Sequence, residues 1–112
     1  MRMLWIICNE SVGEDLMEKV LDSNGVEGYT VWRDVLGKDN EGDKTHWGDA
    51  VFPGLNWVFM IFGSEDLIDG VIERYKAFKE EPYVRNAGIK AFIHDAEEVG
   101  KVPAGGCGGK LS

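Results

Sequence analysis

Two stretches of this sequence are apolar at nearly every position, which restricts how they can pack. Residues 3–8 read MLWIIC and residues 55–62 read LNWVFMIF. Successive side chains of a β-strand point to opposite faces of its sheet. A sheet with one solvated face therefore shows a polar residue at every second position. Since both faces of these two strands are apolar, we expect both faces of their sheet to be covered.

The elements around these runs follow a β-α-β, β-α-β order. Residues 28–34 and 89–93 are rich in β-branched or aromatic residues and are typical of strands. Apolar stripes at helical spacing follow the first and third strands. This order predicts an α+β, ferredoxin-like sandwich, with an antiparallel sheet and both helices on one face. The other face would remain apolar and open, so we expect a homo-oligomer.

Local signals place the helix ends. Ser11 and Glu14 fit a capping box at the start of the first helix. Ser64 is suited to cap the second helix. Pro82 is expected to end it, because proline disrupts a helix interior.

A long polar segment, residues 36–49 (LGKDNEGDKTHWGD), separates the second and third predicted strands. Most connections take about 4–6 residues, and longer ones are often binding loops. Gly37, Gly42 and Gly48 permit several backbone shapes. Trp47 either contacts a partner protein or packs back on the protein's own oligomer. We expect this segment to carry function.

Length and charge limit the remaining possibilities. The chain of 112 residues fits one domain, residues 1–98, followed by a glycine-rich tail, residues 99–112, that we expect to be flexible. Its formal net charge of -8 disfavours nucleic-acid binding. No apolar run is long enough to insert in a membrane. The two cysteines, Cys8 and Cys107, form no CxxC motif, and a reducing, cytoplasmic location is expected.

No catalytic group of residues is evident. His46 and His94 stand alone in sequence, and neither has a spaced acid, base or nucleophile beside it. A structural zinc site takes about four clustered ligands, which this sequence does not show. Cys8 ends an apolar strand and is expected to be a buried hydrophobic residue. We therefore expect a non-enzymatic protein with no metal site and no resident cofactor.

Three short motifs carry a family resemblance. Residues 28–31 (GYTV) resemble the G-L/V-T-V entry to the second strand of PII signalling proteins. Residues 35–38 (VLGK) stand where that family has G-F-G-R, at the base of its mobile T-loop. Residues 90–93 (KAFI), followed by Glu97 and Glu98, are similar to K-I-F-V-x-x-x-E-E at the fourth strand. The chain thus resembles PII and PII-like proteins over most of residues 1–99.

The resemblance implies a mode of action. Members of that family are trimers packed through the open sheet face, and they bind adenine nucleotides in the clefts between subunits. Their T-loop changes shape and docks on a partner protein. In this chain the resemblance implies that Gly37, Lys38, Gly88 and Lys90 bind the ligand. It also implies that Asp39, His46 and Trp47, in the segment 36–49, contact the partner protein.

The chain also departs from the family pattern. Asp39 stands where nucleotide-binding members carry glutamine, and an acid there repels phosphate. Residues 83–89 (YVRNAGI) replace the family's T-G-x-x-G-D-G segment, and its later R-x-R has no match. The usual ATP site is therefore largely absent. The remaining basic pair, Lys38 and Lys90, predicts an adenine nucleotide or another small anion as effector.

Two other interpretations stay open. Asn9 and Glu10 resemble a feature of CutA-type divalent-cation tolerance proteins, which are also ferredoxin-like trimers. In that case His46 and carboxylates of the long segment would bind a divalent metal. A small enzyme on a ferredoxin-like scaffold is the other alternative.

Overall fold

A computed structural model describes residues 1–26, 28–36 and 55–100. Four strands form one antiparallel sheet in the order β2-β3-β1-β4. They are β1 (Arg2–Asn9), β2 (Thr30–Val35), β3 (Asn56–Gly63) and β4 (Ile89–Asp95). The α-helices are α1 (Gly13–Leu16), α2 (Glu65–Lys79) and α3 (Pro82–Ala87). The predicted α+β, ferredoxin-like fold is confirmed.

The first helical region is less regular than predicted. A 3-10 turn (Glu10–Val12) precedes α1, and a wide π-helical turn (Met17–Leu21) and a second 3-10 turn (Asp22–Asn24) follow it. The Asn9 side-chain oxygen, not that of Ser11, caps the start by accepting from the Ser11 amide at 2.9 Å. At the other end, Gly25 adopts a left-handed conformation with φ 83° and ends the helical region.

The second helical region contains one helix more than predicted. Ser64 caps α2 as expected, because its hydroxyl oxygen accepts from the Leu67 amide at 3.2 Å. Pro82 does not end α2, which stops at Lys79, but begins α3. Proline suits this position, because the first helical residue has no intrahelical use for its amide.

The hydrophobic core lies between the helices and one face of the sheet, here called the inner face. Alternate residues of β1 and β3 point into it and are almost fully buried: Leu4, Ile6, Cys8, Trp57, Phe59 and Ile61. The helices cover them with a set of equally buried side chains: Val12, Leu16, Val20, Leu21, Ile68, Val71, Tyr75, Phe78 and Val84.

The strand register assigns the remaining side chains to the opposite, outer face. Its central rows run through Met3, Trp5 and Ile7 of β1 and their partners Phe62, Met60 and Val58 of β3. Trp32 of β2 and three residues of β4, Lys90, Phe92 and His94, complete it. Trp32, Phe62 and Phe92 are 44%, 44% and 57% exposed. The predicted apolar outer face is therefore present, and none of the described elements covers it.

Candidate functional site

The long connection begins and ends at one end of the sheet, here called the loop base. Val35 at the end of β2 pairs with Asn56 at the start of β3, and Asn56 pairs with Asn9 at the end of β1. The Asn9 amide donates to the Gly88 carbonyl at 3.1 Å. The ends of β1 and β2 and the starts of β3 and β4 therefore converge here. Residues 36–55 separate β2 from β3, and 37–54 of these, with most of the predicted segment 36–49, lie outside the described residues.

Two buried asparagines form the centre of the loop base. Asn9 is 6% exposed and Asn56 is fully buried. The Asn56 carboxamide has no hydrogen-bond partner among the described residues. A buried polar group without a partner costs about 1–3 kcal/mol. Such a group in a native site calls for an explanation, and a polar ligand is one.

Sequence reasoning overlooked this pair. Asn9 drew attention only as a CutA-like feature, and Asn56 was counted within an apolar run. The signal was a single asparagine at the end of each central strand. Only the antiparallel register, which pairs the two residues, reveals that they are neighbours.

The predicted ligand-binding residues fall into two groups. Gly88 and Lys90 lie within the described chain, and Gly88 joins the loop base through the Asn9 amide. Gly88 is buried and ends α3 with a φ of 105°, a value that glycine adopts readily. Lys90 lies two residues further along, opposite Ile7 on β1. Gly37 and Lys38 lie outside the described residues, as do the partner-contact residues Asp39, His46 and Trp47.

A cleft of about 380 Å³ runs beside β4 and includes Lys90. Its lining also contains Lys79 at the end of α2, together with Tyr75 and Phe92. Burial raises the pKa of the Tyr75 hydroxyl to about 12, so this group stays neutral in the cleft at ordinary pH. The structure thus places a second lysine, Lys79, beside Lys90. Sequence reasoning assigned Lys79 only to the C-terminal end of a helix.

Asp34 and Arg33 shape the backbone at the end of β2. Asp34 has a φ of 59°, a left-handed conformation that aspartate tolerates better than most residues. The strand pairing is irregular between Trp32 and Val35. The Arg33 guanidinium lies 4.2 Å from the centre of the Trp57 ring and 3.7 Å from the Glu14 carboxylate. These contacts fix the direction in which the chain leaves β2 toward the loop base.

The outer face carries an ordered aromatic cluster. The Trp5 ring stacks on Trp32 at a centroid distance of 6.1 Å, and its centre lies 6.5 Å from that of the His94 ring, with 19° between the planes in both pairs. The Trp5 indole N–H donates to Nε2 of His94 at 2.9 Å. The sequence showed His94 only as a lone histidine at the end of the fourth strand, so its place in this cluster is a finding of the structure.

Further predictions concern thiols, metals and membranes. Cys8 is fully buried, and desolvation raises the pKa of its thiol to about 12, which leaves it an inert hydrophobic residue. Within the described parts of the chain, no three His, Cys, Asp or Glu residues lie close enough to hold a metal ion. None of the described helices is long and apolar enough to cross a membrane. Cys107 lies outside the described residues.

Known proteins provide an independent comparison. No protein-family model matches the chain, and no curated protein is similar in sequence. The solved structures give clear matches. The nitrogen regulatory PII-like protein CPII from Thiomonas intermedia K12, bound to ADP, AMP and bicarbonate, superposes with a TM-score of 0.62 and 23% identity, over 85% of this chain and 88% of CPII.

Two further structures agree with this match. The apo form of CPII gives a TM-score of 0.59 at 24% identity, over 85% of this chain and 87% of CPII. A protein from Thermus thermophilus that is classed as PII-like gives 0.53 at 20% identity, over 83% of both chains. This chain has the fold of the PII-like proteins. The resemblance that the sequence motifs indicated is therefore confirmed at the level of fold.

Proposed function

We propose that this chain is a non-enzymatic, PII-like regulatory protein. It works as a homotrimer, binds a small anionic metabolite or adenine nucleotide at the clefts between subunits, and signals to a partner protein through the segment 36–49. The observation that carries this proposal is the loop base. There the buried Asn56 carboxamide, Gly88 and both ends of the long connection meet.

The chemistry of the loop base favours a ligand with both acceptor and donor atoms. A carboxamide offers two N–H donors and one carbonyl acceptor. Bicarbonate carries anionic oxygens and a hydroxyl, and adenine presents a nitrogen acceptor beside an amino group. Either ligand satisfies both ends of the Asn56 side chain. The structure of CPII with ADP, AMP and bicarbonate supports ligands of these two classes.

Lys79 and Lys90 provide the positive charge that an anionic ligand needs. The chain as a whole carries a formal net charge of -8, so most of its surface repels anions. The cleft beside β4 places two lysines together against this background. Together they supply a cationic site smaller than the usual ATP site of the family. The acidic Asp39 further favours an effector other than ATP.

The outer face supports assembly as a trimer. It presents at least seven apolar side chains and exposes large parts of Trp32, Phe62 and Phe92. A contiguous apolar patch on a folded protein usually marks an interaction surface. A second copy of the same face offers matching apolar chemistry. The proposed ligand clefts would then lie between neighbouring subunits.

Ligand binding would act on the segment 36–49 because that segment is anchored at the site. A ligand shifts a conformational equilibrium only when it binds one state better than another. A ligand that contacts Gly37 and Lys38 at the start of the segment, and Asn56 beyond its end, would bind one conformation of the segment better than another. The partner protein would then read Asp39, His46 and Trp47.

Isothermal titration calorimetry tests the ligand site. The chain is titrated with ATP, ADP, AMP, cyclic nucleotides and bicarbonate, and we expect binding of AMP, ADP or bicarbonate in preference to ATP. Lys90→Met should weaken binding about tenfold, because a charge-assisted hydrogen bond contributes about 1.5–3 kcal/mol. Lys76→Met, an exposed lysine on α2 outside the cleft that contains Lys90, is the matched control. Absence of binding by every compound would contradict the proposal.

A second variant separates binding from folding. Asn56→Leu replaces a carboxamide that has no partner among the described residues by an apolar group of similar size, so the free energy of unfolding should stay level or rise. Ligand binding should nevertheless be lost. Asn86→Leu, an exposed asparagine on α3, is the control and should leave binding unchanged. If Asn56→Leu binds the ligand as well as the parent, Asn56 is not part of the site.

A further inference from the structure

The contact between Trp5 and His94 on the outer face fixes the protonation of the histidine. The Trp5 indole nitrogen lies 2.9 Å from Nε2 of His94, and Nδ1 of His94 lies 2.9 Å from the Asp95 carbonyl oxygen. An indole N–H can only donate, so Nε2 must accept. A carbonyl oxygen can only accept, so Nδ1 must carry the proton. This pattern requires the neutral histidine, protonated at Nδ1 alone.

A second proton on His94 has no acceptor in this arrangement. It would sit on Nε2 and point at the indole N–H of Trp5, so two donors would face each other. The ring would also gain a positive charge beside Met3, its cross-strand partner on β1, and beside Trp5 and Phe92. Burying a charge among apolar groups is strongly unfavourable. An exposed His94 avoids that cost by turning to water, whereas a His94 covered by another subunit does not.

The charged groups around His94 do not offset this cost. β1 contributes Arg2, which is positive and also contacts Glu65 of α2 at 3.4 Å, and β3 contributes no charged side chain. On β4, Asp95 already pairs with Arg2 at 3.1 Å, and Lys90 is positive. On β2, Arg33 pairs with Glu14, and Asp34 lies toward the loop base at the far end of the strand. Glu97 and Glu98 follow β4 and are exposed to solvent.

Trp5 does not give a cationic histidine a compensating cation–π attraction. A cation is stabilised when it lies over an aromatic face. The two rings are 19° from parallel and the indole N–H donates to Nε2 of His94 at 2.9 Å, so they meet edge to edge. Protonation would abolish that bond and leave the indole N–H without an acceptor. The loss of this hydrogen bond and the desolvation of the charge both disfavour protonation of His94 in the assembled protein.

We propose that His94 makes assembly through the outer face sensitive to protons. Three copies associate while His94 is neutral, and protonation of its ring dissociates them. The inference rests on the proposed trimer, and it adds a means of regulation. The effect would also loosen the ligand clefts, since these lie between subunits.

The acidic composition of the chain makes the direction of this effect diagnostic. The sequence isoelectric point is about 4.7. As the pH falls toward this value the net negative charge shrinks, and repulsion between copies decreases. Overall charge therefore favours association on acidification. Protonation of His94 should instead cause dissociation on acidification.

Sedimentation velocity over a concentration series tests the proposal with the full chain. Between about pH 7.5 and about pH 5.5, the protomer concentration at half assembly should rise about tenfold or more. His94→Gln keeps an acceptor for Trp5 without a titratable ring, so it should assemble equally at both pH values. The control is His46→Gln, the other histidine of the chain, which should keep the full pH dependence. Far-UV circular dichroism checks that the fold persists at the lower pH.

The outcomes separate this inference from the proposed function. A trimer of equal strength at both pH values would overturn the proton switch and leave the proposed trimer intact. A monomer at both pH values would overturn both. If His46→Gln loses the pH dependence and His94→Gln keeps it, the proton switch is not His94 and the proposal is overturned. As an independent readout, ¹⁵N NMR of the imidazole should show the Nδ1-protonated tautomer at about pH 7.5, and Trp5→Phe should remove this preference.

Discussion

The two faces of this sheet have similar apolar compositions but different surroundings. On the inner face, Leu4, Ile6, Phe59 and Ile61 are at most 2% exposed beneath the helices. On the outer face of the same sheet, Trp32, Phe62 and Phe92 remain about half exposed. Burial of one face is enough to explain why a single copy folds. The apolar character of the other face is what the proposed homo-oligomer accounts for.

The sharpest test of this difference uses the same residue type on both faces. Phe59→Ala on the inner face should lower the free energy of unfolding by about 3–5 kcal/mol, because it leaves a cavity in a packed core. Phe62→Ala on the outer face should cost the monomer far less, but it should weaken association. Urea unfolding and sedimentation velocity measure the two effects. Similar losses of stability in both variants, without any loss of association, would erase the distinction between the faces.

A smaller effect is expected where the inner face meets the first helical region. A Cβ added at Gly13 would clash with Cε3 of the Trp57 ring. Gly13→Ala should therefore destabilise the fold by about 1–3 kcal/mol. The control is Gly70→Ala in α2, where the nearest atom is the end of Arg74 at 3.5 Å. Gly70→Ala should stabilise by about 0.5–1 kcal/mol, because alanine is the better helix former. Thermal unfolding measures both, and a neutral Gly13→Ala would mean that Trp57 packs elsewhere.

The smallest effect concerns alkaline pH and again distinguishes the inner face. Burial raises the pKa of Cys8 from 9.0 to about 12 in the folded protein. The thiol stays protonated in the folded chain while it ionises in the unfolded chain, so its stabilising contribution is complete below pH 9 and is lost as pH rises. At about pH 10 the loss should be about 1 kcal/mol.

Cys8→Ala should reduce this alkaline loss, whereas Cys107→Ala should not. Tyr75, whose pKa burial also raises to about 12, adds a second contribution in the same direction. The free energy of unfolding is measured by urea titration at a series of pH values between about 8 and 11. Equal slopes in Cys8→Ala and the parent would mean that the Cys8 thiol is accessible to solvent.

Most of the fold could be predicted from local signals. The apolar runs located β1 and β3, and the cap at Ser64 located α2 within a residue. The helix that begins at Pro82 was missed, because a proline after an apolar stripe fits the end of one helix and the start of another equally well.

Less of the candidate site could be predicted. Gly88 and Lys90 came from the family resemblance, and the structure places Gly88 at the loop base. The structure brings together three pairs of residues that are separated in sequence: Asn9 with Asn56, Lys79 with Lys90, and Trp5 with His94. Their proximity depends on strand register and on helix packing. No local pattern encodes such pairs, and a periodicity argument treats each partner as an isolated residue.

The most direct test of the central claim is the molar mass of the chain in solution. Multi-angle light scattering of the eluted protein at micromolar concentration and near-neutral pH gives that mass without a shape assumption. We predict three times the chain mass of 12.5 kDa, with a shift toward the single-chain mass in Phe62→Ala. A folded chain that elutes at 12.5 kDa under these conditions would contradict it.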